Sequence, residues 1–325
     1  MPKVSVCMAA YNHENYVTYA VQSVLDQTFQ DWELIITDDA SSDHTAENIQ
    51  RFSDPRIKFF RSEQNQGIAA TTAKCIHESQ GEYIAILNSD DVFVPVKLEK
   101  QVQLLNERPE VAAVFSHTWF INRQGGDYNK LNIGFYSNKR NIFNKSNRSR
   151  WEWLNYFFYH HNTLCDPSVM ARREVYTTIA PPDARFPIAG DFNRWVRTCL
   201  RHEIHIIPEI LLKFRIHGKN ASGNWLGPRP KIDWELMLIL RNYLEITDPE
   251  ELRRIFPESL NGQVLDPDIL PYYLAQLALK IPSLDYRLFA VEILSSLLSD
   301  PGKAIKIQQK YGFSYRDFWK LYRLI

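Results

Sequence analysis

Apolar residues in the first 120 positions come in short runs rather than in strict alternation with polar ones. Val4–Ala10, Trp32–Asp39, Arg56–Ser62, Tyr83–Asn88 and Val111–His117 read as five strands. Such runs suit strands covered on both faces. Between them the apolar positions change to helical spacing. Val17, Ala20, Val21, Val24 and Leu25 mark one helix, and residues 41–52, 68–79 and 96–107 mark three more. Ser and Asp caps open the second, Gly81 closes the third, and Pro109 stops the fourth. Alternating strands and helices predict an α/β domain with a parallel sheet and helices on both faces. In such sheets the ligand crevice lies beyond the C-terminal strand ends. Three of those ends carry polar clusters: Tyr11-Asn12, Asp38-Asp39 and Asn88-Ser89-Asp90-Asp91.

The pattern changes after residue 120. Gly125–Arg150 is rich in Asn, Lys, Arg and Ser without periodicity, and reads as a long, basic, partly mobile loop. Arg150–His161 is an aromatic helix candidate. Beyond about residue 225, helical stripes at 234–244, 270–280, 288–298 and 315–325 are separated by prolines, with no fixed-period repeat. The expected division is a domain at 1–224 and an all-helical region at 225–325.

Composition narrows the classes. Lys+Arg and Asp+Glu are 38 each, which argues against a nucleic-acid binder working through bulk positive charge. The hydrophobic fraction of 45% allows a sizeable core. Cys7, Cys75, Cys165 and Cys199 are widely spaced and form no C-x-x-C pair, so a reduced, cytoplasmic chain is expected. No segment approaches the roughly 20 apolar residues of a membrane-spanning helix. The last stripe sets Phe318, Trp319, Tyr322 and Leu324 against Arg316, Lys320 and Arg323. That arrangement could lie on an anionic membrane face, although amphipathic terminal helices more often dock on their own protein or form a dimer surface.

Carboxylates that converge repel unless a cation sits among them. A hard divalent ion is held by one or two carboxylates and completes its shell with water and phosphates. "NSDD" (Asn88–Asp91) therefore suits a metal carrying a diphosphate, and on spacing alone equally suits a cap for the helix starting near Pro95. "DDASSD" is open to the same choice between ligand and turn. In "AGDFNRWVR", Asp191 is either a helix cap or a general base poised by partial burial. In "FRIHGKNAS", His217 between Arg215 and Lys219 suits phosphate or metal better than a lone structural histidine would.

"VSVCMAAYN", "SVLDQTFQDWELIITDDASSD", "NQGIAATTAKCIHESQGEYIAILNSDD", "AGDFNRWVR" and "RIHGKNAS" stand in the order and spacing of the inverting family 2 glycosyltransferases with the GT-A fold. The resemblance covers about residues 1–222, and the first 40 are similar to the bacterial spore-coat branch. It implies a GT-A (Rossmann-like), mostly parallel sheet flanked by helices. It implies a nucleotide pocket formed by Ala10, Tyr11, Asn12, Asp39, Asn65, Gly67, Asn88, Ser89 and Asp90. Asp90, Asp91 and His217 are the implied holders of Mn²⁺ or Mg²⁺, and Asp191 the implied catalytic base. The chain departs from the family pattern at Asn88, Gly190, Asn193 and Lys74-Cys75. "NRSRW" (Asn147–Trp151) precedes Asp191, unlike the Q-x-x-R-W signature of processive synthases.

The implied reaction moves one sugar from a nucleotide-sugar, UDP-linked in most of the family, to a carbohydrate, lipid-linked glycan or protein acceptor. One displacement inverts the anomeric centre, without the covalent intermediate of retaining glycosidases. It is expected to serve surface polysaccharide or glycoconjugate synthesis at the inner face of the membrane. The competing readings are a nucleotidyltransferase and a non-catalytic nucleotide- or glycan-binding module. The first usually carries a Gly-rich phosphate loop, and "AAYNHENY" has no glycine.

Overall fold

The computed structural model describes residues 1–128, 141–218, 220 and 230–322. Part of the expected loop at 125–150, Lys219, Ala221, Ser222, the expected boundary at 224/225, and Arg323 and Leu324 lie outside the described residues. The backbone divides into two compact units, residues 1–150 with 160–225, and residues 151–159 with 226–325.

The first unit is built on an eight-stranded sheet: β1 (Val4–Ala10), β2 (Trp32–Asp38), β3 (Ile57–Arg61), β4 (Tyr83–Ile86), β5 (Val92–Phe93), β6 (Val111–Ile121), β7 (Met170–Arg172) and β8 (Glu203–Arg215). The order across it is β3-β2-β1-β4-β7-β6-β8-β5. The block β3-β2-β1-β4 is parallel throughout, with Ala10 opposite Asp38 and Cys7 opposite Ile86. Every residue of β2 and β4 is buried, including Glu33, Thr37 and Asp38 of β2, as suits strands covered on both faces. β7 then runs antiparallel to both β4 and β6, β8 returns parallel to β6, and β5 pairs antiparallel with β8.

Helices α1 (Val17–Leu25), α2 (Thr45–Gln50), α3 (Ile68–Glu78) and α4 (Lys97–Glu107) fill the connections of the parallel block and its edge. α3 packs on β1 and β2, and α4 on β6. Val4, Val6, Met8, Val17, Val21, Leu34, Ile36, Ala85 and Leu98 are buried in one apolar core. The Asn-rich stretch before residue 150 is tied down by side chains. Asn144 Oδ1 accepts the Thr118 N–H at 2.8 Å, and the Asn141 and Asn147 amides donate to the carbonyls of Thr118 and Ile206 at 2.9 and 2.8 Å. Its polar composition satisfies backbone groups of β6 and β8.

The second unit gathers most of α5 (Arg150–His160) with α7 (Pro230–Leu240), α8 (Pro249–Ile255), α9 (Pro257–Leu260), α10 (Leu270–Ala278), α11 (Leu284–Ser299), α12 (Pro301–Tyr311) and α13 (Tyr315–Tyr322). Prolines stand in the first turns of α8, α9, α10 and α12, where the missing N–H has no intrahelical partner to lose. Phe158 meets the rings of Phe256, Tyr243 and Tyr286 edge-on at 4.9, 5.3 and 5.6 Å. Tyr243 Oη donates to the Leu154 carbonyl at 2.6 Å. The aromatic run read from the sequence is thus the core contact of this unit. Among the described residues, no helix is long and apolar enough to cross a membrane.

Candidate active site

The parallel register sets the ends of β1 and β2 side by side, and the Asp39 N–H donates to the Ala10 carbonyl at 2.8 Å. The chain leaves β1 through Tyr11, 46% exposed, and Asn12, at φ +52°. Asn tolerates this left-handed conformation because its side chain bonds locally. Here Asn12 Oδ1 accepts the Ser42 N–H at 2.9 Å, and its own N–H donates to Ser41 Oγ at 2.9 Å. Ala40, at φ +59°, has no such compensation and is held strained between the two loops. The Asp39 carboxylate takes the N–H groups of Gln66 and Gly67, both at 2.9 Å, and the Asn65 amide donates to the Asp39 carbonyl at 3.4 Å. Asp39 thereby fixes the loop ahead of α3 over the end of β2. Gly67 sits there at φ +86°, which a side chain would strain.

The end of β4 carries Asn88–Asp91, and neither acid caps the following helix. Val96 is the N-cap of α4, without a side-chain hydrogen bond. Asp90 Oδ2 lies 3.0 Å from His217 Nε2 and accepts from the Asn220 amide at 3.2 Å. Ser89 Oγ lies 2.8 Å from His13 Nδ1. One ligand atom each of His13, Asp90 and His217 fall within 4.8 Å of one another. Tyr16 stacks on His217 with ring centroids 4.7 Å apart, and the His13 ring stands edge-on to both.

Asp91, expected beside Asp90 as a metal holder, lies deeper. It is 1% exposed and outside the His13–Asp90–His217 group. Its Oδ1 accepts the Arg215 N–H at 2.8 Å, and its Oδ2 accepts from the Asn88 amide at 3.2 Å. Burial first, then the neighbouring Asp90 charge, push its carboxyl well above the usual range. Arg215, buried, donates from Nε to the Asp90 carbonyl at 2.8 Å and from Nη1 to the carbonyls of Asn122 and Arg123, both at 3.1 Å. Asp91 and Arg215 therefore brace the β4 and β8 ends, and set Asp90 and His217 opposite each other.

Asp191 enters from α6 (Gly190–Cys199), whose residues 192–196 are all buried. Asn162 donates to its Oδ2 at 2.9 Å and the Phe192 N–H to its Oδ1 at 2.7 Å. Burial first, then the Asp166 charge, raise its carboxyl to about 7. The Cys165 thiol, pushed up by its own burial, is raised further by Asp91, Asp166 and Asp191.

His13, Tyr16, Asn162, Asp166 and Asn220 were not singled out from the sequence. His13 had a readable signal: an imidazole directly behind the Tyr11-Asn12 strand end. Asn162 and Asp166 lie on a segment with no periodic pattern.

Residues 5–173 match the family described as Glycosyl transferase family 2. The chain is 32% identical over 225 residues to an uncharacterized glycosyltransferase of Methanocaldococcus jannaschii, covering 67% of this chain and 72% of that one. It is 40% identical over 121 residues to the putative teichuronic acid biosynthesis glycosyltransferase TuaG of Bacillus subtilis, covering 37% of this chain and 47% of TuaG. It is 39% identical over 102 residues to the Escherichia coli UDP-Glc:alpha-D-GlcNAc-diphosphoundecaprenol beta-1,3-glucosyltransferase WfgD, covering 31% of this chain and 40% of WfgD. Thus it spans less than half the length of the last two. Among solved structures, S. aureus TarS 1-349 in complex with UDP-GlcNAc superimposes with a TM-score of 0.62 at 16% identity, over 99% of this chain and 89% of that one. The fold is accordingly GT-A.

Proposed function

Since the chain belongs to glycosyl transferase family 2, we propose that it transfers a single sugar from a UDP-sugar to an acceptor hydroxyl, with inversion and with Asp191 as the base. The observation that carries this reading is the carboxyl of Asp191. Burial and the neighbouring Asp166 charge raise it to about 7, and each of its oxygens carries one hydrogen bond, from Asn162 and from the Phe192 N–H. A base titrating near the working pH combines the right protonation state with useful driving force. Asn162 and the Phe192 N–H occupy one site on each oxygen, and a carboxylate offers about four lone-pair sites in all, so lone pairs remain for the incoming proton. The acceptor O–H proton passes to Asp191 as the acceptor oxygen bonds to the anomeric carbon. The bond from that carbon to the phosphate oxygen breaks on the opposite face.

The donor set fits a divalent cation. Two ligands about 2.1 Å from one ion and at right angles stand about 3.0 Å apart, the separation of Asp90 Oδ2 from His217 Nε2. Asp90 and His217 would hold it, with Asp91 bracing from behind. Bound there, Mn²⁺ or Mg²⁺ supplies charge neutralisation at the departing diphosphate. Ala10, Tyr11, Asp39, Asn65 and Gly67 line the nucleotide pocket in this reading, with the exposed Tyr11 ring available to the base. Asn12 holds the loop beside them, and Asn88 and Ser89 orient Asp91 and His13.

TarS was solved with UDP-GlcNAc and WfgD is named for a UDP-Glc donor, which supports the choice of nucleotide. TuaG and WfgD carry names from surface-polymer synthesis, so the acceptor class we propose is a growing, lipid-linked glycan. A lipid-linked acceptor would bring the protein into peripheral contact with a membrane, and a cytoplasmic face is the location this reading proposes. The test is a panel of nucleotide-sugars read by thermal shift with Mn²⁺, Mg²⁺ or EDTA, followed by a transfer assay. Ligand binding to the folded state raises the melting temperature. UDP-sugars should stabilise the protein in a metal-dependent way, with transfer lost in Asp191→Asn. Absence of any shift and any transfer across the panel would overturn the reading.

A further inference from the structure

We propose that His13 is a third protein ligand, making with Asp90 and His217 a two-imidazole, one-carboxylate site that selects Mn²⁺, Co²⁺ or Zn²⁺ over Mg²⁺. The inference rests on the glycosyltransferase reading and deepens it by naming the class of ion. The geometry comes first. Ligand atoms of all three residues fall within 4.8 Å, and the closest measured pair stands at 3.0 Å. Around one ion with bonds of about 2.1 Å, right-angled ligands stand about 3.0 Å apart and opposed ones about 4.2 Å, so the closest pair fits directly and small side-chain rotations bring the third atom into reach.

The His13 ring is also held in place. Ser89 Oγ lies 2.8 Å from Nδ1, the Tyr16 and His217 rings lie 5.9 and 5.5 Å away, and the His13 N–H is fixed on Thr45 Oγ1 at 2.8 Å. Neighbouring polar partners of this kind orient a ligating imidazole. Next, the anionic donors one would expect for Mg²⁺ are missing from the group. Asn88 stands where the family signature usually has an Asp, and its amide is turned to Asp91. Asp91 is engaged by Arg215 and Asn88 and stays outside the group. What remains is a single carboxylate and two imidazoles. Mg²⁺ demands oxygen donors in near-ideal octahedral arrangement. Imidazole favours later first-row ions, and Mn²⁺ accepts either kind of donor.

The experiment is direct metal binding by the full chain with saturating UDP, by calorimetry for Mn²⁺, Co²⁺, Zn²⁺ and Mg²⁺, and by pulsed EPR of the Mn²⁺-loaded protein for directly bound ¹⁴N. Wild type should bind Mn²⁺ at least about tenfold more tightly than Mg²⁺, with couplings from two imidazole nitrogens. His13→Ala should show one nitrogen and weaker Mn²⁺ binding. His13→Glu restores a third ligand as oxygen at about the reach of Nε2, so it should regain Mn²⁺ affinity and narrow the gap to Mg²⁺; it also keeps the test standing if the alanine variant misfolds. One nitrogen in both wild type and His13→Ala, or equal Mg²⁺ and Mn²⁺ affinity, would overturn the proposal and leave a metal-assisted transfer intact. No metal binding at all, or binding unaltered in His217→Ala and Asp90→Asn, would remove both this proposal and the metal from the functional reading.

Discussion

At Asp191 the physics of burial and the needs of chemistry pull in opposite directions. An aspartate in water titrates near 3.9, whereas here burial and Asp166 raise the group to about 7. The folded protein therefore keeps a proton that the unfolded chain gives up. The stability this carboxyl contributes is complete below about pH 4 and is lost as pH rises through about 7. Asp191→Asn should melt higher than wild type at pH 8, by a margin of up to about 4 kcal/mol that closes toward pH 4. The same change should lower kcat by about 100- to 10,000-fold, and the wild-type rate should rise with pH across the neutral range. Thermal melts and a pH–rate profile check both limbs; a variant less stable than wild type at pH 8 would contradict the argument. The sequence around Asp191 left a helix cap and a general base open, and only the family resemblance pointed to the base. Its raised pKa was not legible there, since Asn162 and Asp166 reach it only through the fold.

Among the elements, the end of β8 organises the acids. The Arg215 guanidinium spans three carbonyls, and its backbone N–H holds Asp91. Arg215→Met removes those side-chain bonds from the buried Asp90 and Arg123 carbonyls, while the Asn122 carbonyl keeps the Gly125 N–H at 3.0 Å. Unfolding in urea should show a loss of about 3 kcal/mol, and UDP affinity should fall with it; a loss under about 1 kcal/mol would show that the brace is not formed. The parallel strands β1 to β4 could be read because each is a short, mainly apolar run bounded by polar turns and separated by helical spacing. β7 has three residues, too short for any periodicity, and β5 has two. β8 contains Pro208 and exposed Glu209, and its register with β6 shifts around His117. A strand with such an irregularity loses the period by which strands are recognised.

On the scale of the whole chain, the residues assigned to nucleotide, metal and base, from Ala10 to His217, belong to the first unit. The second unit's apolar stripes are accounted for by its own helices: Phe289, Ala290, Ile293, Leu294, Leu297 and Leu298 of α11 are buried. The sequence showed a helical tail, and the prolines that punctuate it stand at helix starts. It could not show that most of α5, more than 60 residues upstream of α7, is packed with that tail, because the pairing of Phe158 with Tyr243 and Tyr286 is long-range. A ligand that binds only folded protein slows opening where it binds. Hydrogen exchange with UDP and Mn²⁺ should therefore slow in peptides holding Tyr11 to Tyr16, Asn65 to Gly67, Asn88 to Asp91 and Arg215 to His217. Peptides from α10 and α11 should exchange at unchanged rates. Equal protection of α10 and α11 would mean that the donor is held by residues other than those argued here, and the assignment of the nucleotide pocket to the strand ends would have to be abandoned.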